Sequence, residues 1–342
     1  MKMRNKFLKL ALVGALVSTS MSAIATDITG AGASFPAPVY SKWAEEYQKI
    51  TKNKVNYASI GSSGGIKQIR EKTVDFGATD NPLKGADLDK DGMVQFPAVI
   101  GGVVAVVNLP GFAPGELKMD GDILAAVFRG DITNWNAPQI ASVNPGKKLP
   151  NQAITVVTRS DGSGTTAVFT DYLSKVSKAW AESVGQGATV KWPADSNVGG
   201  KGNEGVSANV TRVKGSIGYV EFAYAKLNKM TTLQLKNADG KYVSPSMDSF
   251  KAAASGANWN SVPGMGISMT NQPGATSWPI AAASFILMYK NPTNKEKSNE
   301  ALKFFEWAFK DGAKIATELE YVPLPPAVTD MIYKNVWSQI SK

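Results

Sequence analysis

Three stretches of the chain put glycine, serine and threonine between a strand-like run and a helix-like run. They are Gly30-Ala31-Gly32-Ala33-Ser34-Phe35, Gly61-Ser62-Ser63-Gly64-Gly65 and Asp161-Gly162-Ser163-Gly164-Thr165-Thr166. Small residues let the backbone come close to a ligand, and the free N–H groups and dipole at a helix start favour an anion. Hydroxyls add donors that rotate to fit. One such turn has an ordinary structural explanation, since strand-to-helix turns are rich in these residues anyway. Three in one chain, without the spacing of a nucleotide-binding loop, point to an oxyanion held by converging helix starts. A fourth glycine cluster, Gly199-Gly200-Lys201-Gly202-Asn203-Glu204-Gly205, carries an acid where an anion would sit, so it reads as a structural loop and helix start.

Two charged features sharpen this. Arg159 and Asp161 stand two apart at the end of the apolar run Ile154–Val157, so both can project to one side. A carboxylate holding an arginine fixes its fork and leaves other donors for a bound oxyanion. Asp80 closes the run Val74–Ala78, at the strand end where α/β proteins place ligand-facing residues. A carboxylate facing an anion is unfavourable unless that anion has a proton to give. An acid in a donor-rich site therefore favours phosphate, protonated near neutral pH, over fully ionised sulfate or molybdate.

Composition narrows the chemistry further. The 342 residues include no cysteine and no histidine. Disulfides, thiol nucleophiles, imidazole bases and His- or Cys-ligated metals are thus excluded. An exported phosphatase or phosphotransferase is disfavoured, because Ser163 has no neighbouring base and the carboxylates do not cluster as a two-metal site requires. No catalytic residue, metal or cofactor is expected.

The elements that must position these groups alternate between short apolar strands and amphipathic helices, an α/β pattern. Strands are predicted at Lys54–Ile60, Val74–Ala78, Val99–Leu109, Ile154–Val157, Ile217–Val220 and Ser284–Tyr289. Helical spacing predicts Pro38–Tyr47, a helix through Val168–Val176, one through Leu302–Phe309 ended by Gly312, and a last helix over Val328–Ile340. Asp239-Gly240 reads as a hairpin turn. At the start, Lys2, Arg4, Lys6 and Lys9 precede the apolar run Leu10–Val17 and the small-x-small triplet Ala23-Ile24-Ala25. This is the pattern of a secretory leader cleaved after Ala25, too short in its apolar run to span a membrane. The net charge is +9, and the leader holds four of the basic residues. What remains is a mild excess without the clustered stripe of a nucleic-acid binder.

The segments Thr29–Tyr40, Ile60–Gly65, Val74–Asp80 and Arg159–Thr165, with Phe96–Gly102, Gly215–Glu221 and Leu302–Trp307, together resemble the periplasmic phosphate-binding proteins of Pst-type ABC importers. The resemblance implies a two-domain type II periplasmic binding protein with its ligand in the interdomain cleft and two hinge crossovers. It implies domain I from residues 26–104 and 270–342, and domain II from 105–269, with the crossovers at the apolar runs Val99–Leu109 and Ser284–Tyr289. Carried over by residue, Ser34, Phe35 through its N–H, Ser62, Asp80, Arg159, Ser163, Gly164 through its N–H, and Thr165 contact inorganic phosphate, while Asp161 orients Arg159. Ser34 stands where the family often has threonine. The implied partners are an importer permease and ATPase in the inner membrane, and the implied state is a periplasmic monomer.

Overall fold

The computed structural model describes residues 26–341, so the leader lies outside the described residues. Among the described residues twelve strands form: β1 (Ile28–Gly32), β2 (Val55–Ser59), β3 (Phe76–Thr79), β4 (Met93–Val107), β5 (Lys118–Met119), β6 (Thr155–Arg159), β7 (Asn197–Gly200), β8 (Ser216–Glu221), β9 (Thr231–Thr232), β10 (Gln234–Lys236), β11 (Tyr242–Val243) and β12 (Ala281–Tyr289). The main sheet runs β2-β1-β3-β12-β4-β8-β6-β7, with β9 beside β4. A small sheet, β11-β10-β5, contains the hairpin expected around Asp239-Gly240.

Strand β4 joins two halves. Met93–Gly102 pairs antiparallel with β12, and Val103–Val107 pairs with β8. All fifteen residues are buried, as expected for a central strand covered on both faces. The strand begins six residues ahead of the predicted Val99, because two residues that look like breaks are accommodated. Gln95 is buried, but its amide accepts from Leu83 N–H at 2.8 Å and donates to the Gly264 carbonyl at 2.9 Å. Pro97 sits beside a bulge, where the register against β12 shifts between Ser284 and Phe285, a position that tolerates a missing donor.

Strand β12 pairs with β4 along its whole length and with β3 over Phe285–Leu287. Just ahead of it, the Ile280 carbonyl accepts from Val103 N–H at 2.9 Å, and Ile280 bridges to Thr270. The run Ser284–Tyr289 is apolar because it lies in the middle of a sheet.

Helices cover both faces. In the first half, Tyr40 and Trp43 of the helix Ala37–Thr51 pack with Tyr57, Phe76 and Phe305 in edge and stacked contacts 5.1–6.2 Å apart. In the second, Phe169 stacks on Tyr219 at 4.3 Å, with Phe128 against both. The aromatic stripes are core, as their helical spacing predicts.

Two helix ends differ from expectation. The helix Lys295–Lys310 stops before Gly312, which instead starts the helix Ala313–Glu318. Gly312 is there for close packing: its carbonyl accepts from Trp43 Nε1 at 2.8 Å, and a Cβ would lie 2.8 Å from the backbone of Ala308. The last helix is α only over Pro326–Met331, then π over Ile332–Val336 and 3-10 over Trp337–Gln339. Val328, Ile332, Val336 and Ile340 are all buried. Each four-residue step overshoots a 3.6-residue turn by about 40°, and the wider π turn takes up that drift.

Candidate functional site

The charged and hydroxyl residues singled out above meet where the two halves touch. Ser34 follows β1, Ser62 opens the helix Ser62–Arg70, and Asp80 follows β3. Facing them, Arg159 ends β6, Ser163 caps the helix Gly164–Val176, and Gly164 and Thr165 are its first residues. Ser34, Ser62, Asp80, Arg159, Ser163 and Thr165 are all buried, none more than 6% exposed. The halves are in contact here. Ser63 N–H donates to the Gly162 carbonyl at 3.1 Å. A Cβ on Gly164 would lie 2.4 Å from Ser62 Oγ and 2.7 Å from the Asp80 carboxylate, so only glycine permits this approach. The Phe35 ring is core, and its carbonyl accepts from Tyr321 OH at 2.7 Å.

Arg159 and Asp161 form the bidentate pair expected from their spacing. Nε donates to Oδ1 at 2.8 Å and Nη2 to Oδ2 at 2.6 Å. Burial alone would raise the Asp161 carboxyl, but the Arg159 hydrogen bonds and charge outweigh it and hold the group below its ordinary value. The pair leaves Arg159 Nη1 buried without a partner. Both Asp80 carboxylate oxygens are likewise buried and unpartnered. Burial pushes Asp80 from 3.8 up to about 7, against the opposing pull of Ser284, Arg159 and Ser62. Orphaned buried groups of opposite sign, one donor and one acceptor, are costly unless a ligand completes them. Asp80 also lines a cleft of about 530 Å³ between the halves, bounded on the far side by Val168 and Asp171.

The scaffold aims these groups. Ser163 Oγ accepts from Thr166 N–H at 3.0 Å, and Ser62 Oγ from Asp80 N–H at 3.2 Å. Tyr219 OH contacts Thr166 Oγ1 at 2.7 Å and accepts from Arg159 N–H at 3.3 Å. Tyr57 OH donates to the Ala33 carbonyl at 2.7 Å, fixing the turn before Ser34.

The glycine cluster at 199–205 corrects the sequence reading. It forms β7 and the start of the helix Gly202–Arg212, and it reaches the site. Asn203 N–H and Nδ2 lie 3.0 and 2.9 Å from Ser34 Oγ, and Nδ2 lies 3.1 Å from Thr165 Oγ1. Gly202 N–H donates to Asp161 Oδ1 at 3.0 Å. Glu204, whose charge argued against this segment, is turned to the rim. There it accepts from Ser59 Oγ at 3.2 Å and Tyr224 OH at 2.9 Å. The one available signal was the asparagine at a helix start after a glycine run.

A pair of lobes joined by shared strands, with buried polar and charged groups at the joint, defines a two-lobed binding protein. Residues 17–311 match the PBP superfamily domain. The chain is 55% identical to the phosphate-binding protein PstS of Pasteurella multocida over 94% of this chain and 93% of that protein. It is 55% identical to PstS of Haemophilus influenzae over 92% and 93%. Its fold superposes with a TM-score of 0.72, at 21% identity, on PfluDING, a high affinity periplasmic phosphate-binding protein solved with phosphate, covering 90% of this chain and 93% of that one. The chain belongs to the PstS family of phosphate-binding proteins.

Proposed function

We propose that this protein captures inorganic phosphate between its lobes in the periplasm and delivers it to an ABC-type importer, a permease with its ATPase. The observation that carries this is the pairing of buried, unpartnered Arg159 Nη1 with buried, unpartnered Asp80 in a site otherwise made of donors. Phosphate near neutral pH accepts from many donors and still gives one proton, which Asp80 would take. In this reading Ser34, Ser62, Arg159, Ser163 and Thr165 donate from their side chains, Phe35 and Gly164 from their backbone N–H groups, and Asp161 orients Arg159. The names of the relatives support the same ligand.

The lobes would be residues 26–104 with 270–342, and 105–269. The change of partner along β4 between Gly102 and Val103 supports the first boundary. Residues 1–25 would be removed on export, and the mature chain would act as a monomer. Calorimetric titration of the mature protein with phosphate, then sulfate, at fixed ionic strength tests the function. Tight phosphate binding with sulfate excluded is expected; equal affinities, or no phosphate binding, would overturn it.

A further inference from the structure

Asn203 uses its side-chain oxygen, its side-chain nitrogen and its backbone N–H. Glu221 N–H donates to Oδ1 at 2.9 Å, and because an N–H can meet only an acceptor, the amide is fixed with Nδ2 toward the two hydroxyls. The two Nδ2 protons then go to Ser34 Oγ and Thr165 Oγ1, while the Asn203 backbone N–H goes to Ser34 Oγ as well. A serine hydroxyl has two acceptor sites and one proton. Both acceptor sites of Ser34 are occupied, so its proton is the only group left to face a ligand. Thr165 has one acceptor site occupied, and its proton cannot point at Asn203.

We propose that Asn203 is a positioning residue that sets the hydrogen-bond polarity of the site, turning the hydroxyl protons of Ser34 and Thr165 toward the anion. Asn203 and Thr165 come from the second lobe and Ser34 from the first, so Ser34 becomes an obligate donor only when the lobes close. Closure and the donor pattern are thereby one event. With the lobes apart, Ser34 is free to present a lone pair. This assignment rests on the phosphate reading above.

The test exploits an isosteric reversal. Asn203→Asp puts an acceptor where Nδ2 stands, so the Ser34 and Thr165 hydroxyls donate to it and turn their lone pairs to the anion. Phosphate affinity at pH 8 should fall on the order of 100-fold. Added negative charge alone would also weaken binding, so the decisive measurement is a double-mutant cycle with Ser34→Ala, read by calorimetry with inorganic phosphate. Ser34→Ala should weaken the parent at least about tenfold but change the Asn203→Asp protein by less than about twofold, since that hydroxyl no longer donates to the ligand. If Asn203→Asp does not fold, the cycle is run with Asn203→Ala, where coupling of the same sign and at least about twofold is expected. Strict additivity in the folded cycle overturns the assignment while leaving phosphate binding by the parent intact. A parent that binds no phosphate overturns the functional reading and this assignment with it.

Discussion

In the proposed site Asp80 would decide which anion is accepted, and its protonation would make that decision depend on pH. Burial holds its proton to about pH 7. Above that value the carboxylate can only accept, which suits protonated phosphate and repels sulfate. Below it the group becomes a donor that sulfate can use. Phosphate-over-sulfate discrimination should therefore narrow between pH 8 and pH 5, and Asp80→Asn should flatten that dependence. Competition titrations at fixed ionic strength check this, and a parent ratio constant across the range would reduce Asp80 to a turn residue. Arg159→Ala should weaken phosphate binding by about 2–5 kcal/mol, because Asp161 is left facing the anion. Arg159→Lys should recover only part of it, since the fork is lost; binding by Arg159→Ala within twofold of the parent would remove the arginine from the site. These residues were legible because their signals are local: a strand end for Asp80, a two-residue spacing for Arg159 and Asp161. Asn203 was not, because its neighbour Glu204 spoke against the segment. That charge finds Ser59 and Tyr224 only in three dimensions.

Among the elements, β4 and the helix starts differ in how openly the sequence declares them. Helix starts carry their own chemistry in glycine and hydroxyl residues, and all three predicted turns reach the site. The start of β4 was hidden by Gln95 and Pro97, whose accommodation depends on Leu83, Gly264 and the register of β12. Strand β7, Asn-Val-Gly-Gly, has almost no strand propensity and exists because β6 pairs with it. The partner change along β4 also makes a demand on volume. At Gly102 a Cβ would lie 2.2 Å from the Phe250 ring. Gly102→Val should destabilise the protein by about 1–3 kcal/mol through overpacking, read from the midpoint of urea unfolding. An unchanged midpoint would mean that Phe250 yields freely and the joint is loosely packed.

At the scale of the whole molecule, the rim contacts hold the lobes together without touching the proposed anion position. Ser59 and Glu204 belong to opposite lobes, and Tyr224 OH lies 2.7 Å from the Ser34 carbonyl and 2.9 Å from Glu204 Oε1. Glu204→Ala should therefore speed phosphate release several-fold in stopped-flow measurements while leaving the association rate nearly unchanged. An equal loss in both rates would place Glu204 in the capture step instead. The sheet order carries a further consequence, for how the chain is made. Synthesis delivers β3 and β4 early, but β12, which belongs between them, comes only after the entire second lobe. The whole stretch from Val107 to Ala281 must pass before β12 arrives, in synthesis and again in export. Throughout that interval the first lobe has an open slot with two unpaired strand edges, the kind of template that recruits other chains. The second lobe is contiguous and can fold as soon as its residues are out. In a chain delivered from its N-terminus, the first lobe, with Ser34, Ser62 and Asp80, is therefore the last part whose strands are all present.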